Sequence, residues 1–339
     1  MLAPAPAGAT LFAVGRTRSR LAQPVNYEQF FQTIVNSATL GSTYALIALG
    51  YTMVYGILKL LNFAHGDVFM VGAYVGFGVL SVFGGAIDPS ISIWVVLVLM
   101  TLAAMAACAV LGVVIERFAY RPLRDAPRIA PLISALGVSF FLSYSVQLLF
   151  GAERRTYDTF NMAGGKLFEP AFTIGSFSIS WLRVIGIVAS VVLMLLLWML
   201  VDRTRIGKAM RATSIDRDAA AMMGIDIDKV IMFAFILSGA LAGAAGVLFA
   251  LRTDLYPQMG FTPGLFAFTA AVIGGIGSVP GAMLGGFLLG TVEAVTVTYV
   301  TQWIGIPVGL SNLVIFSLLI AFMLIRPQGI LGRPDIKKV

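Results

Sequence analysis

The sequence predicts an all-α fold, a polytopic transmembrane helical bundle of about eight to ten spans, some of them broken or re-entrant. Three observations lead there. Of the 339 residues, 59% are hydrophobic and the mean hydropathy is +0.93, whereas a soluble domain is roughly 45–50% apolar. Apolar runs of about 18 residues or more recur, the length that crosses a bilayer core as a helix. They are continuous, unlike the alternating strands of about ten residues in a membrane barrel. Charged residues make up only 12% of the chain, and they gather between the runs.

Residues 1–25 carry Arg16, Arg18 and Arg20 and no acid. They lack a signal-peptide apolar core after a basic start, and are expected to form a flexible, uncleaved basic arm on the cytoplasmic side. Residues 26–339 are expected to form a single transmembrane domain. The first apolar run, 30–61, is interrupted by Gly41, Gly50 and Gly56, so one tilted helix and two shorter pieces both stay open. The polar group Asn62, His65 and Asp67 follows, just before a second span at about 68–86. Ionisable groups at such depth are costly and normally face a bundle interior, a cavity or an interface. His65 is the only histidine, which argues against a metal site. The plainest expectation is a broken-helix turn in which Asp67 caps the next helix by accepting backbone N–H groups. A proton relay is the sharper alternative.

A third span is expected at about 91–114, and then Arg117, Arg121, Arg124 and Arg128 fall in one short loop. The bias of Lys and Arg toward cytoplasmic loops puts this loop inside. After a span at 129–150, the longer and less basic segment 151–180 fits the outside. After another at 181–201, parity returns the polar segment 202–229 to the inside. That segment, DRTRIGKAMRATSIDRDAAAMMGIDIDK, holds six Lys/Arg and five Asp. Its DAAAMMG stretch (218–224) reads as a short helix stopped by Gly224, where a left-handed backbone suits glycine. A charged turn with a small-residue face, fixed between spans, suits docking to a soluble partner.

The span at 231–251 is rich in Gly and Ala, which predicts close helix packing. From Leu255 to Ile325 the only charge is Glu293, expected to tie two helices rather than bind solute. Gly274, Gly275 and Gly277, with Pro280 and Gly281, interrupt this stretch. Either they unwind a helix along a transport route, or they turn the chain between two spans. The last span, about 310–325, leads to a tail with Arg333, Lys337 and Lys338, expected inside. A faint internal repeat links Phe63-x-x-Gly66 to Phe261-x-x-Gly264. Cys108 is the single cysteine, so no internal disulfide framework exists.

Catalytic signatures are missing from the sequence. It holds no phosphate loop, no metal-ligand cluster and no nucleophile–base pair, so a transport subunit without its own catalytic site or cofactor is expected. DAAAMMGI in a loop between spans resembles the coupling motif of bacterial ABC-importer permeases, with Asp218 where the family has Glu. Together with GSTYALIALGYTMVYGILKLLNFAHGD (41–67), ERFAYRPLR (116–124), AFTAAVIGGIGSVPGAMLGG (267–286) and RPQGILGRPDIKKV (326–339), it is similar to the LivH/LivM family of branched-chain amino acid permeases. The likeness covers about 26–339.

The resemblance implies a permease of the inner membrane, importing leucine, isoleucine or valine. It would act with a LivM-like second permease, two LivG/LivF-like ATPases and a periplasmic amino-acid-binding protein, within membrane lipid and without nucleic acid. It also implies that Asp218, Ala219, Ala220, Gly224 and Ile225 form the helix seated on an ATPase. Asn62, His65, Asp67, Gly274, Gly275, Gly277 and Glu293 remain candidates for the path or for structural polar roles. A urea, amide or sugar permease of the same superfamily, a gradient-driven carrier and a purely structural subunit are the alternatives.

Overall fold

The computed structural model describes residues 27–82, 93–124, 126–127, 129–157, 169–174, 177–301, 307–326 and 328–332. The predicted arm 1–25 lies outside these residues, as do Arg128, Arg333, Lys337 and Lys338.

The first apolar run is one helix, α1 (Tyr27–Leu58). Five of its hydroxyls bond back to carbonyls about one turn earlier, as in Ser37 to Thr33 and Thr39 to Val35, so these need no outside partner in an apolar surround. Most of its second half is buried, which makes α1 the centre of the bundle. It stops where Lys59 adopts a φ of 57°. Then follow α2 (His65–Val82), α3 (Ile93–Ile115), continued by a π turn and a 3-10 turn to Leu123, α4 (Ile129–Phe150) and α5 (Trp181–Arg203). Two short polar helices, α6 (Arg205–Ile215) and α7 (Arg217–Met222), precede α8 (Ile227–Ala250). The chain ends in α9 (Phe261–Gly274), α10 (Val279–Val295), continued by a π turn to Val300, and α11 (Ser311–Ile325).

Among the described residues seven helices are long and apolar enough to cross a membrane, and α9 and α11 are shorter apolar helices. That matches a bundle of eight to ten spans, some broken. A small antiparallel hairpin, β1 (Pro170–Ile174) and β2 (Phe177–Ser180), stands in the loop before α5; no strand was expected there.

The chain between α1 and α2 re-enters the bundle. His65 lies against Ile47 and Gly50 of α1 and against Ser238, halfway along α8. That level is 8 to 11 residues back from the end of α1, or about 12–16 Å at 1.5 Å per residue. Six linker residues at about 3.3 Å each can cover it. The chain after α8 behaves alike, because Gly260 meets Gly66 and α9 starts at the same depth.

The faint repeat is therefore a structural one. α2 runs alongside α8 in the same direction (His65 on Ser238, Gly76 on Val247), and α9 runs alongside α1 in the same direction (Phe266 on Tyr44, Phe268 on Tyr51). α3 packs antiparallel to α8 through Cys108 on Gly239 and Ala104 on Gly243. α10 packs antiparallel to α1 through Gly286 on Ala45 and Gly290 on Gly41. Because α1 ends, and α8 begins, at the end of the bundle that carries α6 and α7, the triplets α1–α2–α3 and α8–α9–α10 run in opposite senses. This is an inverted repeat of the kind found in transporters. Its two half-helices meet at Gly66, Gly260 and Gly264, where a Cβ on any of the three would fall within 2.9 Å of backbone.

Candidate functional site

Two regions hold the polar residues singled out from the sequence. The first is the elbow α6–α7. Asp216 separates the two helices and caps the second: its Oδ1 accepts the N–H groups of Asp218 (3.0 Å) and Ala219 (3.2 Å). Six residues cannot hold a helix by propensity alone, so the caps matter. At the other end Gly224 takes a φ of 81°, its N–H donates to Ala221 O, and the Ile225 N–H donates to Ala220 O. This pair of bonds is the Schellman arrangement, which needs a left-handed residue at that position. The glycine stop expected from DAAAMMG is thus present.

Asp218 and Ala219 face solvent, whereas Ala220 is buried and packs inward. Of the small residues in this stretch Ala219, Ala221 and Gly224 are therefore accessible, and Ala220 is not. Beside them Ile215, Met222 and Met223 project, 74%, 82% and 83% exposed. The elbow is tied to the end of α1, since Arg217 Nη2 donates to Ile57 O at 2.7 Å, and Tyr120 OH, in the π turn after α3, donates to Leu61 O of the re-entrant linker at 3.2 Å. Burial and the neighbouring Arg124 hold the Arg217 guanidinium below its ordinary pKa. Arg124 bridges Glu116 and Asp228, and Arg121 adds a second contact to Asp228. The loop after α3 is thereby fixed to the start of α8.

Gly274, Gly275 and Gly277 lie at this same end. Gly275 (φ 108°) and Gly277 (φ 93°) make a tight turn between α9 and α10, closed by Ser278 Oγ accepting the Gly281 N–H at 3.2 Å. A Cβ on Gly277 would stand 3.7 Å from Gly56, two residues before the end of α1. Residues 330 and 331 donate to Ile273 O and Gly274 O across the turn. Of the two readings left open, the turn between spans is the one found.

The second region is the meeting of the half-helices. His65 is buried, with Nε2 3.2 Å from Ile47 O, Nδ1 3.2 Å from Ser238 Oγ, and its ring edge-on to Tyr51. Both ring nitrogens have partners within the bundle. Asp67 does not cap α2 as expected: that helix already begins at His65, and the carboxylate accepts hydroxyls from Ser139 and Ser143 (2.8 Å) of α4. It borders a cavity of about 410 Å³ that Ser139, Ser143, Tyr256, Gln258, Phe261 and Thr262 complete. Asn62 is buried and its Oδ1 has no hydrogen-bond partner among the described residues. Glu293 stands apart on α10 beside Tyr44 of α1. Among the described residues no group of three or more His, Cys, Asp or Glu could hold a metal ion.

With this geometry in view, comparison with known proteins gives a family. Residues 33–323 match the family described as "branched-chain amino acid transport system / permease component". The chain belongs to that family. It is 41% identical over 318 residues to the high-affinity branched-chain amino acid transport system permease protein LivH of Salmonella typhimurium, covering 91% of this chain and 98% of that protein. The corresponding BraD protein of Pseudomonas aeruginosa is also 41% identical, over 316 residues, with the same coverage. The LivM permease of Escherichia coli is 29% identical over 328 residues, covering 89% of this chain and 71% of that protein. No solved structure matches. The chain is thus a multi-pass membrane permease of a transport system whose relatives include two permease types.

Within this permease, the sequence pointed to the elbow and to Asp67 but missed Ser139 and Ser143, which look like ordinary polar residues of an apolar run. Their spacing of four residues, one helical turn, was the available signal. It also missed Met222 and Met223, whose exposure no composition rule foretells.

Proposed function

We propose that this permease works as one membrane subunit of an ATP-driven importer of branched-chain amino acids in the cytoplasmic (inner) membrane. It would pair with a LivM-like permease, take its solute from a periplasmic binding protein, and be driven by two LivG/LivF-like ATPases. Residues 26–339 act as one transmembrane domain, the segment 202–229 faces the cytoplasm, and α7 with Asp218, Ala219, Ala220, Gly224 and Ile225 is the element an ATPase grips. The observation that supports this best is the elbow itself: a doubly capped helix with exposed Met222 and Met223, bonded through Arg217 to the last turn of α1, from which the linker to the half-helix α2 departs. A push on α7 acts on the end of α1 and on the re-entrant segment together, so closure of the motor proteins can rock one half of the inverted repeat against the other.

The clustering of Arg117, Arg121, Arg124 and the six basic residues of 202–229 at one end agrees with a cytoplasmic position. The chain's own part is to shape and gate a route; hydrolysis belongs to the partners. Co-expression of the four membrane and ATPase subunits tests this. The purified complex should contain both permeases and both ATPases and, in liposomes with the binding protein, should take up leucine only with ATP. Uptake at full rate without the ATPases, or labelling of a cysteine at position 219 from the periplasmic side, would overturn it.

A further inference from the structure

The cavity beside Asp67 is not explained by gating. Asp67 is 6% exposed and sits in the first turn of a half-helix that begins level with the middle of α8. A carboxylate at such depth is expensive unless a cation or strong donors compensate it. Two donors are present, the hydroxyls of Ser139 and Ser143 on successive turns of α4. No Lys, Arg or His pairs with it among the described residues. Arg154, the cation stacked over the lining residue Tyr256 at 5.3 Å, is already paired with Asp254 at 3.6 Å. Two hydroxyls thus hold the Asp67 carboxyl group at the edge of a cavity of about 410 Å³, with no cationic side chain paired to it among the described residues.

We propose that this cavity is a solute station within the permease, in which Asp67, oriented by Ser139 and Ser143, receives the primary ammonium group of an α-amino acid. The inference rests on the amino-acid reading above and adds a site to it. The rings of Phe261 and Tyr256 can meet both an ammonium group and an aliphatic side chain, while Gln258 and Thr262 supply neutral polar groups for the rest of the solute. The volume lies within the usual range of small-molecule sites. Hydroxyl donors on both oxygens fix the orientation of the carboxyl group and leave its remaining lone pairs free for an N⁺–H donor.

Saturation-transfer NMR on the purified four-subunit complex, without binding protein, tests this with leucine as the probe. 3-Methylbutylamine, which keeps the ammonium and the branched chain, should displace leucine. 4-Methylpentanoate, which keeps the chain and the carboxylate, should need at least tenfold more. Asp67→Asn should keep both serine contacts and elute as an intact complex, yet lose the leucine signal. Equal displacement by acid and amine, or an unchanged leucine signal in Asp67→Asn, overturns the proposal and leaves the pair of serine bonds as a tie between α2 and α4. If Asp67→Asn fails to assemble, the comparison of amine and acid on the native complex decides alone. A complex that imports leucine but shows no leucine signal refutes the station while keeping the transporter. A complex that imports no leucine at all refutes the function on which it rests.

Discussion

Substituting Gly66 with alanine perturbs the crossing of the two half-helices where backbone meets backbone. The added Cβ would stand 2.6 Å from Gly260 O and 3.3 Å from Gly264 Cα. Ordinary contacts to such atoms are longer by several tenths of an ångström, and both neighbours are backbone, so no side chain can rotate away. Overpacking of this kind costs about 1–3 kcal/mol, against a gain of about 0.5–1 kcal/mol from replacing glycine by alanine in a helix. Gly78, lower in the same helix, has nothing within 4 Å of the built Cβ and should show the gain alone. The two variants should therefore differ by about 1–3 kcal/mol, up to about a hundredfold in the folded-to-unfolded ratio. Unfolding in mixed micelles by titration with sodium dodecyl sulfate, followed by circular dichroism, measures it. Coincident curves, or a Gly66→Ala protein more stable than Gly78→Ala, would show that the half-helices do not meet at Gly66, and the inverted-repeat account would fail with it.

Other perturbations read other parts of the molecule. Gly224→Ala forces a left-handed alanine at the end of α7 at a cost of about 1–2 kcal/mol; membrane insertion should persist while ATP-dependent uptake drops, and normal uptake would count against the elbow. Met222→Asp with Met223→Asp lies on exposed side chains, so stability should hold within about 0.5 kcal/mol, but recovery of the ATPases in a pull-down should fall severalfold. Arg124→Ala leaves Glu116 buried without its partner and should destabilise by about 3 kcal/mol or more; adding Glu116→Gln should recover part of that loss in the same titration. Glu293→Gln should fold and retain most transport if the residue, which stands beside Tyr44 of α1, serves as a tie between helices; complete loss of uptake from a normally assembled complex would move it into the route.

Much of this molecule is legible one residue at a time. Long apolar runs must be helices that cross a bilayer, since the backbone there has no other way to satisfy its hydrogen bonds. Gly224 and the basic residues around it mark a charged elbow with a glycine stop, because such stops and charges act over one helical turn; the Asp216 cap at its other end came from the structure. What depends on distant contacts was not readable. The glycines of the Gly274–Gly281 stretch fit a broken helix and a turn equally well, and only the packing of the turn beside Gly56 distinguishes them. Asp67 looked like a helix cap because a first-turn carboxylate usually is one; serines 72 and 76 positions further on claimed it instead.

From the sequence alone came the class of protein, the spans and the elbow, each set by the period and polarity of neighbouring residues. The tertiary structure alone decided that the two Phe-x-x-Gly segments are the meeting point of an inverted repeat, and that an uncompensated carboxylate faces a cavity there. Both facts depend on which atoms of α2, α4, α8 and α9 come within a few ångströms of each other. Pairwise distances between segments up to about 200 residues apart leave no periodic trace in the chain.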